Sequence, residues 1–341
     1  MSRNTNMIDV FILTNGRMTV IETINSLQNQ SFSAFNAIIS DNSNSHFIRD
    51  YVCKLKDARF SYIGHETGRS GADNIDYCLT QVKSKYFVLM HDDDLFAPSY
   101  LSKMLERFEN NPSVQWGVCN SYLFSEAIDG KLQRANANTL ISGVYQSGEK
   151  LFEDLLYVKP LIIMPAVFYR YDIIDSLKFD HKFSALGDLK MWLTLSLSHN
   201  FVYEAEPLFY YRKHFNNHSN ECAIDGTFFV QAIWLINWLT ELKLKGEIKN
   251  FSVTKATSKI INAHLVIFIW GVIRTSTYQL SDERYNYICN NIGWLPKLLL
   301  FLFKLPLVRM CVSKPIILLK KSKDKFLSIK DIVLDEGITR N

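Results

Sequence analysis

Through the first 90 residues one pattern recurs: a short apolar run breaks off in a polar turn, and apolar positions three and four apart follow. Val10-Phe11-Ile12-Leu13 predicts a strand ending at Thr14-Asn15-Gly16-Arg17, after which Val20, Ile24 and Leu27 fall at helical spacing. Ala37-Ile38-Ile39-Ser40 predicts a second strand, ending at Asp41-Asn42-Ser43-Asn44. A helical stretch through Tyr51 and Leu55 leads to a third strand, Phe60-Ser61-Tyr62-Ile63, and a polar loop over residues 64–71 leads to a helix over 72–82. The fourth run, Tyr86-Phe87-Val88-Leu89-Met90, carries no charge and ends abruptly in His91-Asp92-Asp93-Asp94. Strands alternating with helices predict an α/β fold with a mostly parallel, doubly wound sheet. Ligands of such sheets sit at the carboxyl ends of the strands. Residues 14–17, Asp41 and residues 92–94 all fall there.

Past Pro98 the spacing predicts a helix to Glu109, a strand over 114–119, a polar excursion over 133–148 and a strand over 162–169. Leu189-Lys190-Met191-Trp192-Leu193 opens a further helix, and Asp188 before it reads on its own as an N-cap. The run Leu208-Phe209-Tyr210-Tyr211-Arg212-Lys213-His214 closes the α/β part. From Thr227 onward long helical patterns take over, at 228–244 and 254–273, whose apolar stripes read as core or interface. The pattern thus divides the chain into an α/β domain over 1–222 and a helical region over 223–341. Within the latter, residues 294–326 set the apolar clusters 298–303 and 316–319 among Lys297, Lys304, Arg309, Lys314, Lys320 and Lys321. A helix lying in an anionic membrane surface and a terminal helix with a solvated basic side both fit that pattern.

Composition narrows the class. With 341 residues, 48% hydrophobic and 21% charged, the chain is globular rather than disordered. A net charge of +4, with no basic patch interleaved with stacking aromatics in the first two thirds of the chain, gives no support for nucleic acid. The six cysteines lie far apart with no metal-type spacing, which predicts free thiols in a reducing compartment. The first apolar run stops at Leu13, too early for a signal peptide, and residues 265–273 fall short of the roughly 20 needed to cross a bilayer. A cytoplasmic protein, peripheral at the inner membrane face if its tail binds there, is the expectation.

The chemistry concentrates at Asp92, Asp93 and Asp94. Three adjacent ionised carboxylates repel one another, so a core strand that ends in them needs a compensating cation or donors. Oxygen ligands of this kind suit Mg²⁺ or Mn²⁺ bridging to a phosphate. The plainer reading is a solvated acidic turn in which Asp94 caps the following helix. His91 alone reads as a packing residue at a strand end.

Together these motifs resemble the family 2 glycosyltransferases, GT-A-fold enzymes that use nucleotide-sugar donors, over residues 8–219. The resemblance implies that Thr14, Asn15 and Arg17 form the turn at the nucleotide, with Gly16 a departure from the usual motif. It implies that Asp41 accepts from the base and that Asn74 opens the helix beside the donor. The family's metal motif, counted back from Pro98, falls on residues 91–94 with His91 in place of its first carboxylate. Asp93 is then the foremost ligand for Mn²⁺ or Mg²⁺, Asp92 faces ribose or metal, and Asp94 supports them. Gly187-Asp188 resembles the family's acidic pair, with Gly187 replacing Glu and Asp188 matching the catalytic base. Arg212 and His214 match a late segment closing over the diphosphate. The implied reaction is metal-assisted, inverting transfer of a sugar to the hydroxyl of a glycan or lipid-linked glycan, as in bacterial surface-polysaccharide synthesis. Two alternatives share the fold: a non-catalytic subunit of a polysaccharide assembly complex, and a sugar nucleotidyltransferase, which lacks its glycine-rich loop here. A His-Asp phosphohydrolase is disfavoured because no second His-Asp pair exists.

Overall fold

The computed structural model describes residues 7–43, 46–66, 68–124, 133–135, 140–157, 161–213, 218–275 and 279–304. The chain divides by its contacts into two compact units, residues 1–214 and 215–341. The first is α/β. Four parallel strands, β1 (Ile8–Thr14), β2 (Phe35–Asp41), β3 (Phe60–Gly64) and β4 (Tyr86–His91), alternate with α1 (Val20–Gln28), α2 (His46–Lys54) and α3 (Gly71–Gln81). Then follow β5 (Leu95–Phe96), α4 (Tyr100–Glu109), β6 (Val114–Phe124), β7 (Gln133–Arg134), β8 (Gly143–Tyr145) and α5 (Glu149–Leu156). β9 (Val167–Arg170), α6 (Gly187–Ser198) and β10 (Asn200–Arg212) complete the unit.

Among the described residues these ten strands make one sheet, in the order β3-β2-β1-β4-β9-β6-β10-β5, with β7 beside β6 and β8 beside β10. β9 runs antiparallel to both β4 and β6, so the sheet is mixed rather than wholly parallel. β1 and β4 are buried along nearly their whole length, which explains their continuous apolar runs. Their neighbours fill the core with aromatics: Phe87 stacks on Tyr169 at 5.2 Å and Tyr86 meets Phe108 edge-on at 5.7 Å. Register aligns the strand ends. Thr14 lies opposite Asp41, Leu13 opposite His91, and Asp41 opposite Gly64.

Three elements differ from the sequence reading. The strand expected over 162–169 begins only at Val167, because Pro165 sits in a single 3₁₀ turn, Met164–Ala166, and cannot donate to a ladder. The polar excursion contains the short strand β8 and is followed by α5, an amphipathic helix that buries Leu151, Phe152, Leu155 and Leu156. β10 extends back to Asn200, and its pairing with β6 shifts register on both sides of Pro207. Among the described residues Cys53, Cys78, Cys119, Cys222 and Cys289 are free thiols.

The second unit is helical: α7 (His218–Ile224), α8 (Thr227–Leu244), α9 (Val253–Thr275), α10 (Asp282–Asn291) and α11 (Trp294–Lys304). Phe229, Ile233, Leu265, Phe268, Ile288 and Leu300 share its core. Among the described residues no helix is long and apolar enough to cross a membrane. Most of the basic apolar segment, from residue 305 on, lies outside the described residues.

Candidate active site

The carboxyl ends of β1, β2 and β4 meet in a network built on carboxylates. Thr14 Oγ1 donates to Asp92 Oδ2 at 2.6 Å, and the Asn15 amide reaches the same oxygen at 3.4 Å. Gly16 turns the chain away with φ +86°, and its amide donates to Thr14 Oγ1 at 3.1 Å. A Cβ there would lie 2.7 Å from Ser43 Cβ, so the turn needs glycine for both conformation and space. Arg17 then folds back over the acidic turn: its Nε stands 3.3 Å from Asp92 Oδ1, and its Nη1 pairs with Asp93 Oδ2. Half-exposed, it is a cation at the surface of a buried acidic group.

Asp94 lies deepest, fully buried. Its Oδ1 accepts from the Arg212 amide at 2.9 Å, whereas its Oδ2 is buried with no hydrogen-bond partner. Burial and the neighbouring Asp93 charge push its carboxyl well above the usual range, and burial raises that of Asp92 too. Arg212 is buried as well. Its Nε donates to the Asp93 carbonyl at 2.8 Å, its guanidinium pairs with Glu22 of α1 and lies 4.7 Å from the Phe124 ring centre. In this arrangement Arg212 braces the acidic turn from behind.

The donor set fits a divalent cation. His91, Asp93 and Asp94 each offer a ligand atom, all within 4.8 Å of one another, and the orphaned Asp94 oxygen is among the groups such an ion would satisfy. Asp92, grouped with them from the sequence, has its carboxylate turned to Thr14, Asn15 and Arg17.

Asp41 and Asn74 face inward. Asp41 Oδ1 accepts from the Ser43 amide at 2.7 Å and hydroxyl at 2.6 Å, and Oδ2 accepts from Tyr62 at 2.9 Å. Burial and this bond push the Tyr62 phenol up to about 12. Buried Asn74 donates to the Ser40 carbonyl at 3.1 Å and accepts from its hydroxyl at 2.5 Å, tying α3 to the end of β2.

Asp188 is not the N-cap the sequence suggested but stands in the first turn of α6, two residues past the cap at Leu186, and accepts from the Leu189 amide at 2.7 Å. Half-buried, it has its carboxyl pushed up to about 6 by desolvation. Burial, followed by the charges of Asp94, Asp93 and Asp188, pushes the Tyr211 phenol upward. His214 lies outside the described residues. Glu22 and Tyr62 were not foreseen as site residues, and Tyr211 only as part of the late segment with Arg212 and His214. Glu22 looks like any exposed helix charge, and only the position of Tyr211 beside Arg212 hints at a shared role.

Residues 10–171 match the sequence family described as Glycosyl transferase family 2. An uncharacterized glycosyltransferase of Methanocaldococcus jannaschii is 24% identical over 180 residues, which are 50% of this chain and 58% of that relative. The chain thus spans less than two thirds of that relative's length. Among solved structures, S. aureus TarS 1–349 in complex with UDP-GlcNAc superposes with a TM-score of 0.57 at 12% identity, covering 90% of this chain and 88% of that one. The same TarS segment without the ligand gives 0.53 at 12% identity, with the same coverage. At such identity the likeness establishes the GT-A-like fold.

Proposed function

We propose that the chain, whose residues 10–171 match Glycosyl transferase family 2, is a glycosyltransferase that moves a sugar from a nucleoside-diphosphate donor to an acceptor hydroxyl with inversion. One observation carries this reading: a buried acidic turn at the end of β4 where His91, Asp93 and Asp94 offer ligand atoms within 4.8 Å of one another, one Asp94 oxygen being unpartnered.

In this reading Asp93 and Asp94 hold Mn²⁺ or Mg²⁺. When bound, the ion supplies positive charge against which a diphosphate leaving group departs. Arg17, at the mouth of the site, lies toward the donor phosphates. Asp41 reads the base: its two oxygens have about four acceptor positions, of which Ser43 and Tyr62 take three. Asp92, oriented by Thr14, lies toward the ribose. Asp188 takes the acceptor's proton as its oxygen attacks the anomeric carbon, and a base poised near 6 is ionised at neutral pH yet more basic than a free aspartate. Asn15, Asn74, Arg212 and His214 complete the donor side, Asn74 and Arg212 by holding the loops from within. An acceptor in the form of a lipid-linked glycan, and a place in bacterial surface-polysaccharide synthesis at the inner membrane face, accord with the basic apolar segment after Trp294.

Calorimetric titration with UDP, GDP and TDP, with and without Mn²⁺, tests the donor site. UDP comes first because the TarS relative holds UDP-GlcNAc. We expect metal-dependent binding of one nucleotide and its loss in Asp93→Ala. Absence of binding by every nucleotide would favour a non-catalytic subunit.

A further inference from the structure

The departure at residue 91 has a structural counterpart. The fourth strand delivers four side chains to the acidic turn, and they do not face alike. Asp92 is drawn toward β1, where Thr14 holds one oxygen at 2.6 Å and Arg17 approaches the other at 3.3 Å. His91, Asp93 and Asp94 instead converge, with ligand atoms all within 4.8 Å of one another. His91 Nδ1 stands 3.9 Å from Asp94 Oδ2, too far for a hydrogen bond yet suited to two groups that share a third. That same Oδ2 is buried and unpartnered. A buried carboxylate oxygen without a protein donor leaves a cost that a bound cation removes.

We propose that His91 is a metal ligand, so that one imidazole nitrogen and single oxygens of Asp93 and Asp94 form a mixed nitrogen–oxygen site in which Asp92 takes no part. The donor set selects its ion. Mg²⁺ favours oxygen donors and keeps its waters, whereas imidazole suits later transition ions, and Mn²⁺ accepts both kinds of ligand. The replacement of a carboxylate by imidazole also removes one negative charge from the cluster, which lowers affinity for Mg²⁺ more than for ions that bond well to nitrogen. Arg17 pairs with Asp93 where the ion would sit, and its half-exposed guanidinium can swing toward solvent or donor phosphate as the ion enters. The proposal deepens the reading above and rests on its metal site.

The test uses the full chain and Mn²⁺ as the probe. Free Mn²⁺ is followed by electron paramagnetic resonance, and the bound ion is examined by spin-echo modulation for coupling to ¹⁴N. The wild type is expected to show nitrogen coupling. In His91→Ala the coupling disappears and Mn²⁺ affinity falls on the order of tenfold or more. His91→Asp, which restores the carboxylate, is expected to keep Mn²⁺ without nitrogen coupling and to narrow the preference for Mn²⁺ over Mg²⁺. Circular dichroism of each variant controls for folding, and His91→Asp keeps the test sharp if the alanine variant is unstable. Mn²⁺ that binds dependent on Asp93 but without nitrogen coupling, or coupling that persists in His91→Ala, would overturn the assignment of His91 while leaving the donor site intact. Nucleotide binding with no Mn²⁺ binding would do the same. Failure to bind either would remove both.

Discussion

At the scale of single residues, environment gives identical side chains different tasks. Of the carboxylates in the site, Asp92 is engaged by a threonine and an arginine, Asp94 is buried with one oxygen unmatched, and Asp188 is lifted to about 6 by desolvation. The last value has two consequences of opposite sign. A base must be ionised to accept a proton, so kcat/KM of the wild type should fall about tenfold per unit below pH 6 rather than below 4. Asp188→Asn should lower it by about 10²–10⁴ above pH 6 and remove that acid limb, as sugar-transfer kinetics would register. For stability the folded pKa lies above the unfolded value near 3.8, so the group's contribution is complete below that value and lost as pH rises through 6. Asp188→Asn should therefore raise stability at pH 7 by on the order of 1 kcal/mol, allowing for its partial exposure, and leave it unchanged at pH 4. Thermal denaturation at the two pH values measures the difference. A loss of activity joined to such a gain would mark a residue retained for function.

At the scale of elements, turns decide the site as much as strands do. The β1–α1 turn works because Gly16 adopts φ +86° against Ser43, which lets Thr14 reach Asp92 and sends Arg17 back over Asp93. Gly16→Ala places a methyl 2.7 Å from Ser43 Cβ in a left-handed conformation. It should cost about 1–2 kcal/mol in denaturant unfolding and weaken nucleotide binding in the same calorimetric titration. Gly187 is a different case. A Cβ there meets nothing closer than Phe183 Cβ at 3.7 Å, so the fold does not demand glycine where the resembling family has an acidic residue. Elements with strong periodicity, β1 to β4 and α1 to α4, were legible because each buries one continuous face or stripe. β9 was legible only with its start too early, because Pro165 delays it, and β10 not as one strand from Asn200, because Pro207 interrupts it; pairing to β4 and β6 shows that the sheet absorbs both.

At the scale of the molecule, the α/β unit and the helical unit carry different kinds of information. The basic apolar segment beginning at Trp294 makes a prediction about location: the full protein should sediment with anionic vesicles in low salt, and a chain shortened by residues 294–341 should not. Unchanged vesicle binding after that deletion would remove the membrane role. For the fold itself, sequence alone determined what depends on local pattern: the alternation of strand and helix, the polar strand ends, the acidic turn after an uncharged run, and the glycines that break it. These follow from side-chain period and turn chemistry, which act within a few residues. Only tertiary structure decided which carboxylates face which way, because that depends on distant partners, such as the Arg212 amide donating to Asp94 Oδ1 from 118 residues away. It also turned Asp92 toward Thr14 and drew His91 toward the acidic pair. Burial and hydrogen bonding between distant strands select among side-chain directions that the local sequence leaves equivalent.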